Sequence, residues 1–322
     1  MRIPIQLNII NLLLLLFLIT TSIVVGVADF DWKNLWQSPK SLELLFISRL
    51  PRTAAVILTG AALAVAGMVL QIVMKNRFIA PDMVGAGQSA ALGILLMSLF
   101  FPAAAPWAKT GVAALAALLG MGLFLLMLRR LPLRQQLLLP LVGLVYGNII
   151  ESAVTFIAYE TESAQMLAVW FAGDFSAVLA GRYEWLWLTG ALALLAYLLA
   201  DRLTIAGLGR DISIGLGVNY TQMLWLSLMV VAVITSVVVV TVGQIPFIGL
   251  VVPNIVTRLA GDRLRHNLPS VALMGANLLL LCDVLGRVLN APYEIPVSVL
   301  FGVLGTGAFL YLLFRKDAAH AA

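Results

Sequence analysis

Apolar positions along this chain gather into ten segments separated by short polar connections, at 7–27, 52–73, 83–101, 110–128, 136–158, 186–200, 222–242, 245–259, 269–289 and 296–314. A bilayer core about 30 Å thick takes roughly 20 apolar residues per helical crossing. Most of the segments approach that length, whereas the sixth is marginal and the eighth is short. Helices satisfy every backbone N–H and C=O internally, as hydrocarbon demands. The pattern predicts an all-α polytopic membrane protein of about ten transmembrane helices, one transmembrane domain over residues 1–322. The first segment ends in the small residues Val25-Gly26-Val27-Ala28, as a signal peptide does. Its weak n-region and the nine segments that follow favour a retained anchor.

Composition sharpens this. Hydrophobic residues make up 62% and charged residues 11%, against about 45–50% and about 25% in ordinary globular domains. Mean hydropathy is +1.03. A soluble protein this apolar has too few polar groups to cover its surface, so lipid is the solvent for much of it. The net charge of +5 does not point to nucleic acid, because the basic residues are scattered through short loops. Cys282 is the single cysteine and lies in an apolar run, which excludes a disulfide framework and a thiolate metal site. The two histidines, His266 and His320, sit beside basic stretches, so no metal ligands are expected.

Orientation follows from Lys and Arg in the connections. With the N-terminus inside, thirteen basic residues fall on the inner side: Arg2, Lys75, Arg77, Arg129, Arg130, Arg134, Arg202, Arg210, Arg258, Arg263, Arg265, Arg315 and Lys316. Seven fall outside: Lys33, Lys40, Arg49, Arg52, Lys109, Arg182 and Arg287. Both termini are therefore expected in the cytoplasm. Five and five spans suit an inverted arrangement of halves, although no sequence repeat between the halves supports it.

Several motifs fail on context. Gly85-Ala-Gly87-Gln-Ser-Ala90 fits a dinucleotide pattern but follows a Pro81-Asp82 turn and opens a membrane helix. No G-x-x-x-x-G-K-[ST] occurs, so the chain has no P-loop with which to hydrolyse ATP. No zinc-protease, paired-carboxylate or Cys–His arrangement is present, and no catalytic residue is expected.

Three features interrupt the apolar bulk. The inner connection 203–221 reads as short amphipathic helices, with Leu208, Ile212 and Leu216 at i, i+4 and i+8 forming one apolar stripe. Arg210, Asp211 and Ser213 take other faces, and Gly209, Gly215 and Gly217 punctuate the turns. Such an element either lies on the bilayer or docks a cytoplasmic partner. On the outer side, Arg49-Leu-Pro-Arg52 runs against the positive-inside bias, and Arg287 ends the ninth span. Snorkelling explains these arginines, and so does bidentate binding of carboxylates on an extracytoplasmic partner. The third feature is polar residues within spans: Asn148 and Glu151, one turn apart in the fifth, and Asp283 in the ninth. Asn148 and Glu151 suit a water-filled path, or Glu151 pairs with another helix. Asp283 stands i, i+4 to Arg287, as for a structural ion pair.

The motifs Arg49-Leu-Pro-Arg52, Gly60 to Gln71, Asn76 to Pro81, Gly243-Gln-Ile-Pro-Phe-Ile-Gly249 to Pro253, Gly261-Asp-Arg263, Asp283-Val-Leu-Gly-Arg287 and Glu294-Ile-Pro296 occur in order. Over roughly 45–316 the chain resembles the FecCD family, the membrane subunits of iron-siderophore, haem and cobalamin ABC importers. The resemblance implies a type II ABC importer permease fold in the bacterial cytoplasmic membrane. It further implies a homodimer or a pair with a sister permease, two cytoplasmic ATPase subunits that bind ATP and Mg²⁺, and a periplasmic or lipid-anchored substrate-binding protein. By the same resemblance, Arg49, Arg52 and Arg287 dock the binding protein. Leu208, Gly209, Arg210, Asp211, Ile212, Leu216 and Gly217 couple to the ATPase, and Asn148 and Glu151 line the path. The sequence departs from the family with Arg77 where Pro is usual and Asn254 where His is usual. Those departures, with Asn76-Arg77-Phe78 and Gly173-Asp-Phe-Ser176, resemble siderophore permeases more than cobalamin ones. The expected function is ATP-driven import of a ferric siderophore by a chain that binds no cofactor. Cobalamin or haem import, and an ion-coupled secondary transporter, are the alternatives.

Overall fold

The computed structural model describes residues 2–26, 39–128 and 138–314. Among these the only regular secondary structure is helical. In order, the helices are α1 (Arg2–Val24), α2 (Pro39–Leu44), α3 (Leu50–Val73), α4 (Ala86–Phe100), α5 (Pro106–Leu128), α6 (Leu138–Glu160), α7 (Ala164–Phe171) and α8 (Leu186–Leu198). They continue with α9 (Ala200–Leu208), α10 (Arg210–Gly215), α11 (Tyr220–Val242), α12 (Ile248–Ala260), α13 (Leu264–Leu289) and α14 (Val297–Phe314). A π-helical turn at Leu45–Arg49 joins α2 to α3 without a break.

Each of the ten apolar segments is helical, but length supports fewer crossings than ten. Among the described residues, six helical stretches are long and apolar enough to cross a bilayer, and the α8–α9 pair, bent by 64°, makes up to seven. Helices α4 and α12 have 15 and 13 residues, or about 22 Å and about 20 Å at 1.5 Å per residue. Both fall short of the roughly 30 Å core. The cause lies just before each. A 3₁₀ turn at Pro81–Val84 precedes α4, and the non-helical connector Gly243–Phe247, with Pro246 in it, precedes α12. The charge count cannot be followed through Lys33, Arg129, Arg130, Arg134, Arg315 and Lys316, which lie outside the described residues, as do Val27 and Ala28.

The core forms around α3, most of whose side chains are buried. Its small residues let backbones meet. A Cβ on Gly60 would stand 2.5 Å from the Gly275 carbonyl oxygen of α13, so glycine is required at this crossing. Close backbone approach of this kind is what binds helices when lipid removes the hydrophobic drive. Helix α1 is held to α13 by polar pairs. Ser270 Oγ donates to Asn8 Oδ1 at 2.5 Å, and Asn277 Nδ2 donates to the Asn11 carbonyl at 2.9 Å. Its leucines, such as Leu12, Leu13 and Leu16, face away from the bundle.

Candidate functional site

The three arginines of the outer motif converge where α1 ends. Arg52, in the first turn of α3, places Nη2 2.8 Å from Asp283 Oδ1 and Nη1 2.8 Å from Glu294 Oε2. Arg287 places Nη2 2.6 Å from the other Asp283 oxygen, so the expected i, i+4 pair forms. Asp283 is wholly buried. Arg287 Nη1 also donates to the carbonyls of Ser22 (2.9 Å) and Val25 (2.6 Å). Arg49 Nη1 donates to those of Ile23 and, at 2.7 Å, Val24. The amide of Val25 takes the Thr21 carbonyl.

A helix leaves its last four carbonyls without intrahelical partners and carries partial negative charge at that end. Here every carbonyl from Thr21 to Val25 has a donor, and two guanidiniums meet the negative pole of α1. Among the described residues, the α1 carbonyls thus join the Asp283 and Glu294 carboxylates as acceptors for the three arginines. This arrangement also corrects the outward placement expected for Arg49 and Arg287, whose side chains turn inward and are only 6% and 4% exposed. Arg52 and Glu294 keep an exposed edge, at 12% and 21%. The sequence reading did not foresee the α1 carbonyls as the acceptors, because backbone acceptors leave no residue-type signature.

At the inner side, α9 and α10 meet at Gly209, whose φ of 113° and ψ of 172° lie where only glycine sits without strain. The single amphipathic stripe expected through Leu208, Ile212 and Leu216 is therefore divided by a turn. All three side chains nevertheless stay exposed, joined by Ile214, which the i, i+4 spacing had passed over. Arg210 and Asp211 are exposed as well. Ser213 is buried and donates to the Ile205 carbonyl at 3.0 Å, folding α10 back on α9. Lys75 Nζ donates to the Leu208 carbonyl at 2.8 Å and ties this corner to the end of α3. Gly217, with φ 74°, turns the chain into α11, which Asn219 caps by accepting from the Gln222 amide at 3.1 Å.

In α6, Asn148 and Glu151 share one face, as the spacing predicted. With Ser152, Thr155, Phe156 and Tyr159 they line a shallow groove of about 630 Å³. Neither the Asn148 nor the Glu151 side chain has a hydrogen bond or ion pair among the described residues, so Glu151 is not matched to another helix there. Ser152, Thr155 and Tyr159 were legible in principle, since they continue the same face at i+4, i+7 and i+11 from Asn148. No group of three His, Cys, Asp or Glu side chains suited to a metal occurs among the described residues.

Comparison with known proteins places these features in a family. The chain is 41% identical to the petrobactin import system permease protein YclN of Bacillus subtilis, over 95% of this chain and 97% of that one. It is 37% identical to the ferric-anguibactin transport system permease protein FatD of Vibrio anguillarum, over 94% and 96%. Its fold matches a solved structure described as an inward-facing metal-chelate type ABC transporter, with a TM-score of 0.79 and 25% identity over 95% of this chain and 99% of that one. The model of the FecCD transport family matches residues 13–315. A chain matched over nearly its whole length, with the helical architecture and ordered motifs just described, is a multi-pass membrane protein that belongs to the FecCD transport family.

Proposed function

We propose that this chain is the permease subunit of an ATP-driven importer that carries a ferric siderophore across the bacterial cytoplasmic membrane. The observation that carries the reading is the polar face of α6. That helix is 23 residues long and apolar enough to cross a bilayer, yet Asn148, Glu151, Ser152 and Thr155 share one partly exposed side of it. A carboxylate turned to lipid costs about 3 kcal/mol or more, so this face meets water or another subunit. A second permease subunit, identical or sister, set against it would enclose a polar path between the two. The iron travels inside its chelator, so protein metal ligands are not required. Relatives that serve petrobactin and ferric-anguibactin import favour this substrate class.

The remaining parts follow from the same reading. Both termini lie in the cytoplasm, and the α9–α10 corner meets one of two ATPase subunits, which bind ATP and Mg²⁺. Leu208, Ile212, Ile214 and Leu216 form its apolar contact, Arg210 and Asp211 its charged one, and Gly209 and Gly217 its turns. A periplasmic or lipid-anchored binding protein docks on the outer side at the exposed edge of Arg52. Arg49 and Arg287 serve that docking by fixing α1 behind it. The test is uptake of a ferric siderophore by proteoliposomes holding the chain with its copurifying ATPase and binding protein. Uptake should require ATP inside and the ATPase. Uptake driven by a proton gradient alone would overturn the reading in favour of a secondary transporter working through Glu151.

A further inference from the structure

The turn before α4 and the connector before α12 meet around a small void. Asp82, in the 3₁₀ turn Pro81–Val84, accepts a hydrogen bond from the Phe247 amide at 3.2 Å. Phe247 has a φ of 64°, a left-handed conformation uncommon for an aromatic residue, and it immediately precedes the first residue of α12. Asp82 thus brings a carboxylate from 165 residues away to the position a local capping side chain usually takes, at the positive end of that helix.

Beside it the chain leaves about 30 Å³ for the centres of water molecules, lined by Asp82, Thr235 and Gln244 together with apolar side chains such as Leu63, Val239 and Ile248. A void holds a water once about 10–15 Å³ is open to it. Two polar atoms of this lining have no partner among the described residues: Thr235 Oγ1 and Gln244 Nε2. The Thr235 hydroxyl is the more telling. Thr204 and Thr241, elsewhere in the helices, donate to the carbonyl four residues back. Thr235 makes no such bond and is 5% exposed.

We infer that this void is an internal hydration site. One ordered water accepts from Thr235 Oγ1 and Gln244 Nε2 and donates to the Asp82 carboxylate, making the three hydrogen bonds typical of buried water. It ties together the α3–α4 turn, α11 and the connector into α12. A cation fits less well. The side-chain atoms without partners include an amide donor, the Asp82 carboxylate already faces the positive pole of α12, and hard divalent cations take six or more oxygens.

The sign of one substitution separates a wet void from a dry one. Thr235→Val keeps the side-chain shape and removes the hydroxyl. If the void is dry, the change removes an unsatisfied buried group and is neutral or stabilising. If it holds the water, the change removes one of that water's three anchors. The full-length chain in lipid nanodiscs should lose about 2 °C in Tm with Thr235→Val, and a similar amount with Gln244→Leu. Cryo-EM maps at about 2 Å should show a density peak between the three side chains, absent in Thr235→Val, and replacing sodium by choline should change neither peak nor Tm. An unchanged or raised Tm in Thr235→Val, or no peak in the unmodified chain, overturns the inference. So does a peak or Tm that depends on sodium, which would make the site one for a monovalent cation.

Discussion

If Arg49 and Arg287 fasten the end of α1, removing one guanidinium should unfasten it, and Arg287→Leu is the cleanest case. Taking one partner from a buried ion pair costs about 3–5 kcal/mol. Asp283 would keep Arg52 at 2.8 Å, so the ion-pair loss falls at the lower end, about 3 kcal/mol. The Ser22 and Val25 carbonyls and the Ser22 hydroxyl also lose their donor. Leaving buried acceptors bare adds about 1 kcal/mol after Val25 relaxes towards solvent. The sum is about 4 kcal/mol, and at roughly 2 °C per kcal/mol for a chain of this size, Tm should fall by about 8 °C. The protein supplies its own probe. Cys282 is its single cysteine, is buried, and precedes Asp283 on α13. A fluorogenic maleimide in a thermal ramp therefore reports the opening of the core around α13. Arg287→Lys keeps the charge but loses the planar fork that reaches Asp283 and two carbonyls at once, so it should recover about half the loss. A shift below about 2 °C for Arg287→Leu would refute the clamp and return Arg287 to the class of weak surface pairs.

Other expectations are simpler. Arg52→Glu sets three carboxylates together, with Asp283 and Glu294, and should abolish binding-protein docking measured by pull-down while ATPase copurification persists. Arg49→Glu should weaken docking only in step with a lowered Tm, because it acts through α1. Glu151→Gln should cut ATP-driven uptake in proteoliposomes several-fold with Tm unchanged, and an unchanged uptake would remove Glu151 from the path. Gly209→Ala forces a Cβ into a conformation costing about 1–3 kcal/mol, and Arg210→Glu with Asp211→Lys inverts the adjoining charges. Each should loosen the ATPase in copurification, the charge inversion at unchanged Tm and Gly209→Ala with a Tm lowered by about 2–6 °C.

How much of this was legible depended on whether the signal was carried by residue type or by backbone. The apolar runs are a residue-type signal, and each one is helical. The number of crossings is not such a signal. Helices α4 and α12 are predominantly apolar, but Pro81 and the Gly243–Phe247 connector shorten them, and composition alone cannot tell a short apolar helix from a crossing one. The face shared by Asn148 and Glu151 was legible because helical spacing fixes it. The division of the 208–216 stripe was less so, since a glycine in a helical pattern is usually tolerated, and only its backbone angles reveal the break.

The arginines show the same limit from the other side. Residue type shows Arg49, Arg52 and Arg287 with Asp283 and Glu294 but gives no sign that backbone also serves as an acceptor. Part of the negative charge that Arg49 and Arg287 meet lies in the dipole and terminal carbonyls at the end of α1. An outward docking surface and an inward helix clamp thus draw on the same three residues, and they divide by exposure. Arg52 shares its guanidinium between Asp283 and the partly exposed Glu294, so an approaching carboxylate has only to compete with Glu294. Arg49 and Arg287 would have to surrender the backbone carbonyls at the end of α1. Any docking contact that recruited them would therefore release α1 as well, and binding of the partner would be coupled to the position of the first helix.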